Sequence, residues 1–362
     1  MNWLNFGSTF GRNKQLLGLD IGSSAIKVVQ MKEVNGKYFL QKFAMKPLEP
    51  EVIVDGTVMD AGRVVMVIKE LLKETNIKLK HAAISVSGHS VIVKKISLPP
   101  MADDELESEA KVAAEQYIPF DINEVNLDFH VFSPSDPADD GQTQMSLLLV
   151  AAKKDKVNEM TELVRGAGLI PAVLDIDAFA IENMYGVNYE PANGDVVGLV
   201  NIGASVMNIN ILKDGNSLFT RDIAVGGSGY SEAIQRELGV TFEEAESIKK
   251  SHRAADSNAA AVAAVLDGVN AEVSSEIAKS IDYFKTTVAG GDLSKIVLSG
   301  GCAKVSGLAA QLSERMGLPV ELANPFQNID VSAAGLDGDS LADLAPMAAV
   351  GVGLAMRMSG DR

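Results

Sequence analysis

Residues Leu16 to Met31 read LLGLDIGSSAIKVVQM, and this stretch decides the fold. Leu16, Leu17 and Leu19 give an apolar lead-in, Asp20, Gly22, Ser23 and Ser24 a polar turn, and Ile26, Val28 and Val29 an apolar exit. The pattern predicts two buried strands joined by a tight turn. Gly22 permits that turn and leaves no side chain to block the approach of an anion. The turn amides can line a phosphate, and the Ser23 and Ser24 hydroxyls add donors. Asp20 stands at a strand end, where a carboxylate can hold the water shell of Mg²⁺. Lys27 supplies a cation seven residues on. By itself the stretch is equally an ordinary hairpin with a Gly-Ser turn.

A second stretch repeats the pattern. Val196 to Leu212, VVGLVNIGASVMNINIL, is again strand, polar turn and strand, with Asn201, Gly203, Ala204 and Ser205 in the turn. Two such hairpins in one chain suggest two similar domains facing one nucleotide. A third glycine turn ends the apolar strand in Ile296 to Leu308, IVLSGGCAKVSGL, at Gly300-Gly301. A helix is expected to start near Val305.

The three stretches in this order resemble the actin-like ATPase superfamily. Asp20, Gly22 and Lys27 match its first hairpin motif, and Gly300 and Gly301 its adenosine turn. The second hairpin usually begins with Asp, and here it begins with Asn201. Within the superfamily, residues 14 to 355 look most like the type IV pilus assembly protein PilM, with the division protein FtsA the nearer of the other relatives. The implied fold is α/β, with two related actin-like domains flanking a nucleotide cleft. A β-α-β-β-α subdomain is inserted in the first half.

The expected divisions follow from the pattern and the resemblance together. Residues 1–13 form an arm containing Trp3, Leu4, Phe6 and Phe10. It reads either as a frayed tail or as a segment touching a membrane or a partner. Residues 14–89 and 171–190 form the first domain, 90–170 the insertion, 191–227 and 290–358 the second domain, and 228–289 a helical subdomain. Asp103 to Tyr117 and Asp155 to Ala167 read as the insertion's helices, and Ser133 to Gln144 as a polar loop. The small residues of Pro346 to Met358 suit close packing on the helix that begins at Asp177.

The resemblance implies ATP in the cleft. Lys27 and the amides of both turns would hold the phosphates, and Asp20 would hold Mg²⁺ through water. Gly226, Gly227, Glu246, Lys249, Gly300, Gly301 and Lys304 would surround the nucleoside. Glu246 and Lys249 are otherwise an ordinary ion pair on a solvated helix face. Asp177 occupies the position that orients the attacking water, and is otherwise a helix N-cap. With neutral Asn201 at the metal-side position, tight ATP binding and slow turnover are expected.

Composition bounds the alternatives. The chain has 362 residues, 47% of them hydrophobic, enough for two or three domains with real cores. No apolar run reaches the length of a membrane span. A formal net charge of −16 argues against nucleic acid and anionic membrane surfaces, and suits a basic peptide partner. One cysteine excludes an internal disulfide framework, and four scattered histidines offer no metal cluster. The resemblance implies a scaffold at the cytoplasmic face of the inner membrane. Its partner would be the cytoplasmic N-terminal peptide of PilN, which the resemblance places in a groove between the first domain and the inserted subdomain, with other platform proteins and the assembly motor reached indirectly. Self-association as a homo-oligomer stays open. The FtsA-like alternative would tether itself through a C-terminal amphipathic helix, which is not seen after Met358.

Overall fold

A computed structural model describes residues 15–137, 143–251, 259–288 and 290–360. The N-terminal arm lies outside the described residues. The chain opens with a meander, β1 (Leu17–Ile21), β2 (Ala25–Val34) and β3 (Lys37–Pro47). A small hairpin of β4 (Ile53–Val54) and β5 (Thr57–Val58) precedes α1 (Ala61–Thr75) and β6 (His81–Val86). Helix α1 buries Val64, Val67, Ile68 and Leu71, the stripe its sequence spacing gives, and Asp60 caps it by accepting from the Arg63 amide.

The insertion comprises β7 (Val91–Leu98), α2 (Asp103–Tyr117), β8 (Val125–Pro137) and β9 (Thr143–Lys153). Its sheet has the order β7-β9-β8. Helix α2 covers one face through Leu106, Ala110 and Ala114 against Ile96, Leu147 and Leu149. The polar loop expected over 133–144 is shorter than anticipated. The backbone of β8 runs on to Pro137, paired with Thr143 through register shifts. An edge strand tolerates prolines and bulges that a central strand would not.

Next come α3 (Lys154–Gly166), β10 (Ile170–Ile176) and α4 (Asp177–Asn188). Counted with the insertion in the sequence, α3 packs on the insertion's β9 and also on α1, β6 and β10. Its Val157, Met160 and Val164 share a core with Leu17, Ile68 and Ile84.

The second half repeats the opening meander as β11 (Val196–Ile202), β12 (Met207–Lys213) and β13 (Asn216–Ile223). Helices α5 (Gly227–Leu238), α6 (Phe242–Ser251) and α7 (Ala259–Thr287) follow. Thr241 and Glu244 form the capping box their spacing implies: the Thr241 amide donates to Glu244 at 2.9 Å and the Glu244 amide to Thr241 at 3.3 Å. Then come β14 (Lys295–Ser299), α8 (Leu308–Met316), β15 (Val320–Leu322), β16 (Ile329–Asp330), α9 (Gly338–Leu344) and α10 (Ala349–Ala355). The helix expected near Val305 starts at Leu308. A 3-10 turn over Gly301–Lys304 and the left-handed Gly307 intervene.

The first sheet has the order β10-β6-β1-β2-β3-β16 and the second β13-β12-β11-β14-β15. Strand β16 returns from the second half to pair with β3. Helix α10 lies on α4, β1 and β2, so the two halves share one apolar core. The approach is close enough that a Cβ on Gly353 would stand 1.7 Å from the Ala180 carbonyl oxygen. Only glycine fits there. Among the described residues no helix is long and apolar enough to cross a membrane.

Candidate functional site

The two hairpins are built alike. In the first, Asp20 and Lys27 are cross-strand partners, and the Gly22 amide donates to the Ala25 carbonyl at 3.1 Å. In the second, Asn201 and Asn208 are partners, and the Gly203 amide donates to Val206 at 3.0 Å. Lys27 Nζ lies 2.8 Å from Asp20 Oδ2, over the Gly22 turn. Asn201 Nδ2 donates to Asn208 Oδ1 at 2.9 Å, and Asn201 Oδ1 accepts from Ser299 Oγ at 3.3 Å.

Asp177 lies between the turns. It is the first residue of α4, the N-cap position falls on Ile176, and no side chain caps the helix. The N-cap alternative is therefore not what the geometry shows. Its Oδ1 accepts from Ser85 Oγ at 2.6 Å, and Ser87 also donates to it. Asp177 keeps a narrow window to solvent, but protein atoms crowd its carboxyl. That burial, with Asp20 and Asp222 nearby, pushes it up to about 6 against the two serine hydrogen bonds. Asp222, at the end of β13, is also raised by burial, opposed by hydrogen bonds from Asn208 and Gly88.

The nucleoside side is equally connected. The Gly227 amide donates to the Gly203 carbonyl and the Ser228 amide to Ala204, each at 2.9 Å. The second turn is thus tied to the start of α5. Lys249 Nζ donates to the Gly227 carbonyl at 3.1 Å, to Ser231 Oγ at 2.9 Å and to Glu246. Ser231 Oγ also donates to Glu246. Burial is the largest influence and works to raise the Glu246 carboxyl, but Lys249, Ser231 and Lys250 together outweigh it and hold the group below its ordinary range. Glu246 and Lys249 are thus largely enclosed rather than a solvated surface pair.

Gly300 closes this side. Its φ is +88°, and a Cβ there would stand 2.3 Å from the Ile202 carbonyl oxygen. Its amide donates to the Pro346 carbonyl at 2.7 Å, while Gly301 is exposed. Lys304 is not brought to this group: its Nζ pairs with Asp343, donating to the Asp343 carbonyl at 3.0 Å and to the carboxylate. Ser23, Ser24 and Ser205 lie in the two turns, none fully buried.

Asp20, Asp177, Asn201, Lys27 and both turns thus converge, with Gly226, Gly227, Glu246, Lys249 and Gly300 beside the second. Missed from the sequence were Asn208, Asp222, Ser85, Ser87 and Ser231. Asn208 had a signal: it follows Asn201 by the spacing at which Lys27 follows Asp20. Among the described residues, no three of His, Cys, Asp or Glu are gathered to ligate a metal directly. Asp20 and Asp222 act on Asp177 only as nearby charges that help to raise it.

Similar proteins are consistent with this architecture. A solved chain described as the PilM-PilN type IV pilus biogenesis complex aligns with TM-score 0.84 and 29% identity, over 95% of this chain and 98% of that one. The ethanolamine utilization protein EutJ from Carboxydothermus hydrogenoformans aligns with TM-score 0.58 and 17% identity, over 95% of this chain and 89% of that one. MreB 5 of Spiroplasma citri bound to AMPPNP aligns with TM-score 0.50 and 13% identity, over 95% of each chain. The last two share the fold. The sequence family described as type IV pilus assembly protein PilM matches residues 18–359, nearly the whole described chain. This chain belongs to the type IV pilus assembly protein PilM family.

Proposed function

We propose that this chain binds Mg-ATP in the cleft and, as a scaffold at the cytoplasmic face of the inner membrane, engages the cytoplasmic N-terminal peptide of PilN. The observation that carries the nucleotide part is the convergence of two like hairpins on one set of carboxylates. Lys27 and the amides of the Gly22 and Gly203 turns would take the phosphates. Asp20 would hold Mg²⁺ through water, and the ion's chemistry there is neutralisation of phosphate charge. The enclosed Glu246–Lys249 pair and Gly300 would face the nucleoside. The partner reading rests on family membership and on the resemblance to a chain solved with PilN.

Turnover is expected to be slow. The second turn presents a neutral amide, Asn201, already engaged by Asn208 and Ser299. Asp177 would then be the acid that orients water, with no charged partner on the second turn to help it. Calorimetry with Mg-ATP tests binding, and phosphate release tests turnover. Saturable binding with release far below the typical enzyme median of about 10 per second is the expected result. No binding, or turnover near that median, overturns the respective half. Titration with a synthetic PilN N-terminal peptide tests the partner.

A further inference from the structure

Residues 85–88 lead from the end of β6 into β7, so they form the entry stalk of the inserted sheet, whose return connection runs from β9 straight into α3. Both halves grip this stalk. From the first half, Asp177 accepts hydrogen bonds from Ser85 and Ser87. From the second, Asp222 Oδ2 accepts from the Gly88 amide at 2.5 Å. Val206, the residue after the second turn, lies over Gly88, 3.8 Å from where a Cβ would stand. The other oxygen of Asp222 accepts from Asn208 Nδ2 at 2.8 Å, and Asn208 is joined to Asn201. Strand β13, which carries Asp222, lies against β7. A continuous set of hydrogen bonds therefore runs from the second turn to the root of the insertion.

We propose that Asp222 is the positioning residue through which nucleotide in the cleft sets the orientation of the insertion, and so the affinity for the partner peptide. The proposal rests on the function proposed above. A charge-assisted hydrogen bond of this length tolerates little stretching before it is lost. When the second turn moves on nucleotide binding, the stalk must follow it. The motion then reaches the inserted sheet as a whole, because β7 is paired with β9 over its full length. Coupling of this kind requires that two sites act on one element, and residues 85–88, held by Asp177 from one half and by Asp222 from the other, are where the two halves meet.

The test uses the full chain, wild type and Asp222→Asn. Asparagine keeps the size but removes the charge that strengthens both bonds, and its nitrogen is paired only where Asn208 reverses its amide and remakes its link to Asn201. The Kd of a synthetic PilN N-terminal peptide is measured with and without Mg-AMPPNP. Wild type should show a ratio of roughly fivefold or more. Asp222→Asn should bring it below about twofold, within the range of coupling too weak to count as allosteric. A merely structural role would lower stability and both affinities but leave the ratio unchanged, and that result overturns the proposal. If Asp222→Asn does not fold, Asn208→Ser cuts the adjacent link and should also collapse the ratio. Amide exchange at Gly88 gives a readout without ligands: slow in wild type, faster in Asp222→Asn. Wild type that binds both ligands with a ratio of one overturns the coupling and leaves the functional reading standing. Wild type that binds neither overturns both.

Discussion

The two hairpins share a backbone and differ in charge. At the cross-strand position behind each turn, the first carries Asp20 and Lys27, and the second carries Asn201 and Asn208. One pair is an ion pair at 2.8 Å, the other an amide–amide hydrogen bond at 2.9 Å. They also differ in what supports them. The second turn is backed by Gly226 and Gly300 at distances that admit no side chain, and by amides at the start of α5. The close glycines of the first hairpin lie on its strands instead, where a Cβ on Gly18 would stand 2.3 Å from the Gly351 oxygen and one on Gly351 would stand 2.9 Å from Val29. The first hairpin is thus equipped to meet charge. The second is built as a stiff wall, moving only as one piece with its own half, whose polar groups are committed to each other.

The largest expected effect breaks the wall. Gly300 adopts φ +88° and ψ 167°, a region open essentially to glycine, and a Cβ would stand 2.3 Å from the Ile202 oxygen. Gly300→Ala should cost about 3 kcal/mol or more in denaturant unfolding. Gly22→Ala on the first turn meets only the Ala25 oxygen at 3.2 Å, so it should cost less than about 1 kcal/mol. Equal costs would mean that the two turns are supported alike. The next effect concerns charge. Lys27→Ala should weaken Mg-ATP binding by about 1.5–3 kcal/mol, the range for a charge-assisted bond. Asn208→Ala should instead cost stability of roughly 1–3 kcal/mol, because buried partners lose their bonds. It should change Mg-ATP affinity less than about threefold, or ~0.6 kcal/mol. Calorimetry and thermal unfolding on both variants separate these outcomes.

How much of this was legible in the chain depends on the range of each interaction. The hairpins, the Gly300-Gly301 turn, the α4 boundary and the Thr241–Glu244 box are local, so their residue spacing displays them. The close packing of α10 on α4 was legible too, since Ala348, Ala349, Gly351 and Gly353 leave no other reason for so small a face. What the spacing could not show is which distant group answers a side chain. The spacing puts Lys304 in the Gly301 turn but does not show that Asp343 on α9 pairs with it. Helix α3 has a plain apolar stripe, which says that it packs but not on which sheet. Asp222 gave no signal, because its partner is a main-chain amide 134 residues earlier.

A smaller effect tests the acid between the hairpins. Asp177 is raised from 3.8 to about 6, so the folded state holds its proton more tightly than the unfolded chain does. The stability this gives is complete below about 3.8 and is lost as pH rises through about 6. Asp177→Asn, permanently uncharged, should therefore be more stable than wild type at pH 8, and the gap should narrow at pH 5. The raised carboxyl is worth up to about 3 kcal/mol at 1.36 per decade. Its window to solvent reduces this to about 1–2 kcal/mol. Denaturant unfolding at the two pH values reads the gap directly. A gap independent of pH would mean that packing, not charge, separates the variants.

The smallest effect converts the second hairpin toward the first. Asn201→Asp places a carboxylate on the second hairpin where the first carries Asp20, in a residue only 8% exposed. Without a cation it adds a charge beside Asn208 and Ser299 and near Asp222, so stability should fall by roughly 1 kcal/mol. Asn208 can turn its amide to donate to the new carboxylate, but it then gives up its bond to Asp222. Mg²⁺ with ATP should recover most of that loss. Phosphate release should rise by about tenfold, a barrier change of ~1.4 kcal/mol. A rise would assign slow turnover to the neutral second turn. A Mg²⁺-dependent gain in stability without faster release would mean that the carboxylate can take part in metal binding while the attacking water is still not oriented. The limit would then lie with Asp177 and the serines that hold it, and the charge difference between the hairpins would serve binding alone.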